Sequence, residues 1–267
     1  MTRVTTDVSR RTLLKSLAAA PVAALGIAPA WAQSAASAAG LVTPNVCMVM
    51  PEVTEGPYYL DPGLIRADIT EGKTGIPLKL TMQVVDAQCA PFAGARVDIW
   101  HCDAEGNYSG YSGQGSDSVN DTQGETFLRG TQFTGDGGLV TFDTIYPGWY
   151  RGRTTHIHYK VFLDETTVLT SQIFFPDALS QYLFDTVAPY NARSGARDTV
   201  NSNDWIAAQA GDGAFAAIRE QANKYTAALV VGVNPDAVSA TGMRNRGPAG
   251  GATPRGSSDT RSLIPGQ

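Results

Sequence analysis

The sequence predicts an all-β chain, an antiparallel sandwich or barrel with a few short helices. Three observations carry that expectation. Apolar and polar residues alternate with period two over several short segments. Glycine- and aspartate-rich turn signals such as Gly135-Asp136-Gly137-Gly138 separate those segments. Helical periodicity is sparse, and closely spaced short strands with such turns favour packed antiparallel sheets.

The first strand is predicted over residues 78–86, where Leu78, Leu80, Met82 and Val84 alternate with polar neighbours. The turn residues of 90–94 follow, and alternation resumes over 95–102, making a hairpin. Further strands are predicted over 126–134, 138–146, 154–163 and 168–175. Helices are predicted over 178–184, after Pro176-Asp177, and over 214–225. The apolar run 226–233 reads as a closing core strand. Residues 33–46 are small and polar and read as a leader. From 236 to 267 the chain is rich in Gly, Ser, Pro and Arg and reads as a flexible tail. The folded domain is thus expected over 47–235.

Composition excludes several classes of function. The 267 residues are 43% hydrophobic and 17% charged, enough apolar material for a sizeable core. The net charge of −5 argues against nucleic acid or anionic lipid as partners, because binding phosphate needs a basic surface. Residues 1–32 read as an export signal. Arg10 and Arg11 precede Leu13, Leu14 and Lys15, an alanine-rich apolar run follows, and Ala30-Trp31-Ala32 fits a cleavage site. The paired arginines resemble a twin-arginine signal. The twin-arginine export machinery is therefore an expected partner, the expected location is periplasmic or secreted, and no stable membrane insertion is expected after cleavage. Export would expose Cys47, Cys89 and Cys102 to an oxidising compartment. Cys89 and Cys102 lie too far apart along the hairpin to bond. A pair involving Cys47 is expected, with either partner open.

The chemistry-bearing residues begin with His156-Ile157-His158. Side chains at i and i+2 of a strand share a face, ~6.6 Å apart along the chain, so both imidazoles can reach one metal. With only three histidines in the chain, other donors must complete such a site. No C-x-x-C pair suggests structural zinc. A carboxylate would complete a two-histidine iron site. Tyrosine is the other candidate, since a phenolate is a hard anionic donor suited to Fe(III). Tyr108 follows a strand end, and Tyr150 stands just before the histidine strand.

Six motifs stand in order. They are Thr54-Glu55-Gly56-Pro57-Tyr58-Tyr59, the run from Val97 to Tyr108, Phe127-Leu128-Arg129-Gly130, Pro147-Gly148-Trp149-Tyr150, Arg153 through His158, and Thr170-Ser171-Gln172. This constellation resembles the intradiol ring-cleavage dioxygenases, the catechol and protocatechuate dioxygenase family, over roughly residues 45–235. The resemblance implies a β-sandwich core and a mononuclear non-haem Fe(III). It implies Tyr108, Tyr150, His156 and His158 as the metal ligands, with Tyr108 preferred over Tyr111 and Tyr150 over Tyr146. It places Arg153 and Gln172 beside the metal and makes Thr54, Pro57, Tyr58 and Val187 candidate substrate contacts. His101 matches no ligand and is expected to be structural.

The implied reaction inserts both atoms of O2 into a catechol-type aromatic. The ring opens between the two hydroxylated carbons to a cis,cis-muconate-type product. Tyr150 would leave the metal when the substrate binds and take up one of its protons. The sequence departs from catechol-type members in having no counterpart of their long N-terminal helical region. It also has only two residues between Tyr150 and Arg153. These differences leave the substrate and any homo-oligomer open. Two rival readings are a non-catalytic β-sandwich binding module and an Fe(II) oxygenase built on His156, His158 and a carboxylate.

Overall fold

Eight strands form where the alternation lies. The computed structural model describes residues 47–61, 63–114, 118–193 and 195–240. The strands are β1 (Pro77–Val85), β2 (Arg96–Trp100), β3 (Arg129–Phe133), β4 (Leu139–Ile145), β5 (His156–Leu163), β6 (Thr166–Phe174), β7 (Ala217–Gln221) and β8 (Lys224–Gly232). They make two four-stranded sheets, ordered β4-β1-β8-β7 and β3-β2-β5-β6. All pairs are antiparallel except β1 with β8, which run parallel in register from Leu78↔Tyr225 to Val85↔Gly232. The architecture is the sandwich alternative of the sequence reading, with that one parallel pair as an addition.

The core lies between the sheets. Leu78, Leu80, Met82 and Val84 of β1 join Ile157, Tyr159 and Val161 of β5 in one apolar cluster. Each aliphatic side chain buried there contributes ~1.5–3 kcal/mol. β1 alternates buried with partly exposed positions, whereas β5 is buried on both faces through Val161. The second face of β5 is covered because the segment 51–61 crosses the outside of its sheet. Val53 N donates to Thr170 O of β6 at 3.0 Å, and Ser171 Oγ donates to Pro51 O at 3.0 Å.

Two helices are present among the described residues, with short 3-10 turns. α1 (Asp177–Thr186) matches the expectation over 178–184 and buries Ser180, Leu183 and Phe184 on one face. α2 (Trp205–Ala210) was not expected. It is six residues long and starts on Asp204, whose carboxylate accepts from Ile206 N and Ala207 N. The helix expected over 214–225 is instead the hairpin strand β7, paired with β8 from Ala217↔Ala228 to Gln221↔Lys224. Its alanines suggested helix, but an isolated short helix is marginal and pairing with β8 decides the state.

Residues 236–240, grouped with the tail by composition, lie against β6 through Ser239 N donating to Thr167 O at 2.8 Å. The signal segment 1–32, the leader 33–46 and residues 241–267 lie outside the described residues. Cys47 and Cys89 form a disulfide, and Cys102 is free and buried. The bond ties the start of the described chain to the β1–β2 turn, just ahead of the 51–61 segment.

Candidate metal centre

The outer face of the second sheet carries its chemistry in rows. Strand register aligns Arg129 (β3), Trp100 (β2), His158 (β5) and Gln172 (β6) across all four strands. One step along, Thr131, Asp98, Lys160 and Thr170 form a second row. His156, His158 and Lys160 share this face because they are two residues apart. Trp100 stacks on the His158 ring, with centroids 4.9 Å apart and planes 10° apart.

Two loops bring the tyrosines. After β2, Asp103 Oδ1 accepts from the backbone N–H of Glu105 and Asn107 at 3.0 and 2.9 Å, folding a tight turn. Gly106 sits in that turn at φ +90°, where a Cβ would meet Trp149 O at 2.3 Å. This close approach sets the Tyr108 loop directly against the Tyr150 loop. Tyr108 is buried and Tyr150 partly so. The 51–61 segment completes the enclosure. Gly56, at φ +72°, passes so near His158 that a Cβ would stand 3.2 Å from Cε1. Tyr58 stacks on Tyr108, with centroids 4.6 Å apart.

Four donor atoms converge here. His156 Nε2 lies 3.0 Å from His158 Nε2, 3.1 Å from Tyr150 Oη and 3.3 Å from Tyr108 Oη. The two phenol oxygens are 3.4 Å apart. Donors on ~2.0–2.1 Å bonds around one tetrahedral ion stand about 3.3 Å from each other. His156 Nδ1–H donates to Thr154 O at 2.6 Å, which fixes the tautomer and aims the Nε2 lone pair into the cluster. His158 Nδ1 is buried and finds no hydrogen-bond partner among the described residues. Burial holds both imidazoles well below their ordinary pKa, with the Arg153 charge adding to the effect. Both rings are therefore neutral, as metal donors must be. Burial likewise raises Tyr108 well above the usual phenol range and pushes Tyr150 up to about 12. Two phenols that resist ionisation and two facing imidazole nitrogens fit a bound trivalent cation, which would stabilise both phenolates. Among the described residues no carboxylate joins the two histidines in a metal-sized cluster.

Arg153 borders the cluster, its Nη1 3.4 Å from His156 Nε2. Its Nη2 donates to Gln172 Oε1 at 2.5 Å, and Gln172 Nε2 donates to Thr54 O at 3.0 Å. Thr54 thus stands at the site through its backbone, and Tyr58 through its ring. Pro57 is exposed beside them. Val187 ends α1 and packs on the main core instead of on the cluster. Tyr111 donates to Tyr59 O, and Tyr146 Oη pairs with Ser180 Oγ at 2.8 Å, so neither joins the four donors. His101 is buried away from the cluster, donating from Nδ1 to Cys102 O at 2.8 Å and facing Thr144 Oγ1 at 2.7 Å.

Sequence reasoning missed three supports. Trp100 was legible, since strand alternation puts it on the histidine face. Arg129 is 1% exposed. It donates to Tyr58 O at 2.6 Å, Ser109 O at 2.7 Å and Ser109 Oγ at 2.8 Å. It thereby ties the backbone of Tyr58 to that of Ser109, the neighbour of Tyr108. Asp204 pairs with Arg153 at 2.9 Å and lies 51 residues on, beyond the reach of any local pattern.

A family model described as Dioxygenase matches residues 54–210. The chain is 30% identical over 186 residues to a catechol 1,2-dioxygenase of Acinetobacter baylyi, covering 61% of this chain and 57% of that protein. It spans about half the length of the curated relatives it matches. An intradiol ring-cleavage dioxygenase from Tetranychus urticae superposes with a TM-score of 0.67 at 36% identity, covering 73% of this chain and 98% of that one. The dioxygenase domain of a carbohydrate-binding fusion protein from Streptomyces sp. SirexAA-E gives 0.52 at 26% identity, covering 69% and 97%. Fold, site geometry and these relatives agree: the chain belongs to the intradiol ring-cleavage dioxygenases.

Proposed function

We propose that the protein is an Fe(III)-dependent, non-haem intradiol dioxygenase. It adds both atoms of O2 to a catechol-type aromatic and opens the ring between the hydroxylated carbons, giving a cis,cis-muconate-type product. The observation that carries this reading is the convergence of Tyr108, Tyr150, His156 and His158 on one point. Those four side chains would hold the iron. Bound there, ferric iron supplies a Lewis acid for both catechol oxygens and a path for electrons between ring and O2.

The chain's own residues do the rest. Tyr150 is the less buried of the two phenols, so its oxygen is the one able to swing out and accept a catechol proton. Arg153 keeps a fixed positive charge beside the reacting ring, where negative charge on carbon and oxygen needs stabilising. Gln172 ties that guanidinium to the 51–61 segment. Tyr58, stacked on Tyr108, offers a flat apolar wall for an aromatic ring. Thr54 and Pro57 are further substrate contacts in this reading, whereas Val187 belongs to the main core.

Residues 1–32 would direct export by the twin-arginine route to the periplasm or beyond. The Cys47–Cys89 disulfide supports an oxidising destination. The direct test is turnover of a catechol panel under isotopically labelled dioxygen, with products read by mass spectrometry. Both labelled atoms should appear in a muconate-type diacid. Single-atom incorporation, or cleavage beside the diol, would contradict the reading.

A further inference from the structure

The guanidinium of Arg153 stands in an awkward place. It lies 3.4 Å from a nitrogen of the four-donor cluster, and a cation held by those donors would repel it. Arginine is long and flexible, and within the Arg153–His158 stretch its guanidinium meets only the His156 nitrogen that a bound metal would take. Asp204 does. Its side chain is 1% exposed, against 13% for Arg153. Oδ2 accepts from Arg153 Nε at 2.9 Å and from Thr154 N at 3.0 Å. Oδ1 accepts from Ile206 N at 2.8 Å and from Ala207 N at 3.3 Å. One carboxylate therefore caps α2 and holds the guanidinium, with a further bond from the Thr154 backbone N–H.

We infer that Asp204 is a positioning residue for ring cleavage. It locks Arg153 against the metal cluster, and α2 exists in this fold to present it. The inference rests on the function proposed above and adds a residue to it. The carboxylate sits between the α2 N-terminus and the guanidinium, so both of its oxygens are used in hydrogen bonds. Gln172 Oε1 alone would leave the guanidinium with one neutral acceptor on its outer edge.

The test separates the cap from the lock. In Asp204→Ser the hydroxyl still caps α2 but is too short to reach Arg153. Asp204→Asn keeps the shape and serves if the serine variant does not fold. The first readout is made on metal-free protein: the Nε–H resonance of Arg153, assigned by its loss in Arg153→Met. It should be slow to exchange in the wild type and fast in the Asp204 variant. The second is made on iron-loaded protein. kcat should fall ~10–100-fold, the scale for outer partners of a metal site, with the visible band of the resting enzyme unchanged. In the Arg153→Met background, Asp204→Ser should cost less than about two-fold more, because the two act as one unit. An exchange-protected Arg153 Nε–H in the variant, or losses that multiply in the double variant, would overturn the inference. A wild type that cleaves no catechol would instead sink the functional reading, while the exchange arm still decides whether Asp204 holds Arg153.

Discussion

At the scale of single residues, the site is defined by groups whose charge state the fold dictates. His101 shows this away from the chemistry. Burial pushes its imidazole down to about 4, against an ordinary value near 6.5. A depressed folded value means the stability it contributes is intact above pH ~6.5 and is lost as pH falls toward 4, roughly 3 kcal/mol at pH 4. Urea midpoints measured between pH 7.5 and 4.5 should fall in the wild type and stay flatter in His101→Gln, and parallel curves would refute the assignment. Arg129 is the second case. Burial pulls its guanidinium down to about 10, so it remains charged at neutral pH. Its hydrogen bonds go to backbone carbonyls and a hydroxyl. Arg129→Lys cannot reproduce that fork and should destabilise the protein by ~1–3 kcal/mol in urea unfolding. It should also raise KM for catechol, because Tyr58 is released from its stack on Tyr108.

At the scale of elements, the 51–61 segment is the part that turns a sheet face into an enclosed site. It is held by the second polar row, next to the row that carries His158. Tyr59 Oη donates to Asp98 Oδ2 at 2.8 Å. Lys160 forms a buried ion pair with Glu55 and lies 4.0 Å over the Tyr59 ring. Breaking a buried pair from one side leaves an uncompensated charge, so Lys160→Met should cost ~3–5 kcal/mol. The double change Glu55→Leu with Lys160→Met should recover most of it in a denaturant cycle. Equal losses in single and double variants would mean the pair is not the anchor. The same element shows what the sequence makes legible. Thr54 to Tyr59 stood out as a motif, and alternation on β2 and β5 places Asp98, Trp100, His158 and Lys160 on one face without any structure. What joins them to the segment is not periodic and could not be read. β7 and α2 fail for a related reason. Alanines around 214–217 favour helix locally, yet pairing with β8 makes a strand. α2 is only six residues long, and tertiary bonds to Arg153 and Thr154 give its cap a purpose that lies outside its own sequence.

At the scale of the molecule, the sandwich is a platform with one working face. The two sheets bury the apolar sides of their strands, and the chain before β1 is drawn across the outside of the second sheet. The Cys47–Cys89 disulfide closes that path over a sequence separation of 42, a loop for which the chain-entropy relation gives roughly 4 kcal/mol. Reduction should lower stability by about that amount in urea and leave Cys102, which is buried, slow to react with a thiol reagent in the folded state. A stability unchanged on reduction would show that the segment is held by its polar anchors alone. The central claim is the ferric centre built from two tyrosines and two histidines. The measurement that reaches it most directly is the visible absorption spectrum of the iron-loaded protein, before and after catechol is added without oxygen. A red-brown tyrosinate-to-iron band that moves to longer wavelength with catechol, and is weakened in Tyr108→Phe and abolished in Tyr108→Phe with Tyr150→Phe, is the predicted result. A protein that stays colourless after ferric loading would contradict the four-donor assignment and with it the proposed chemistry.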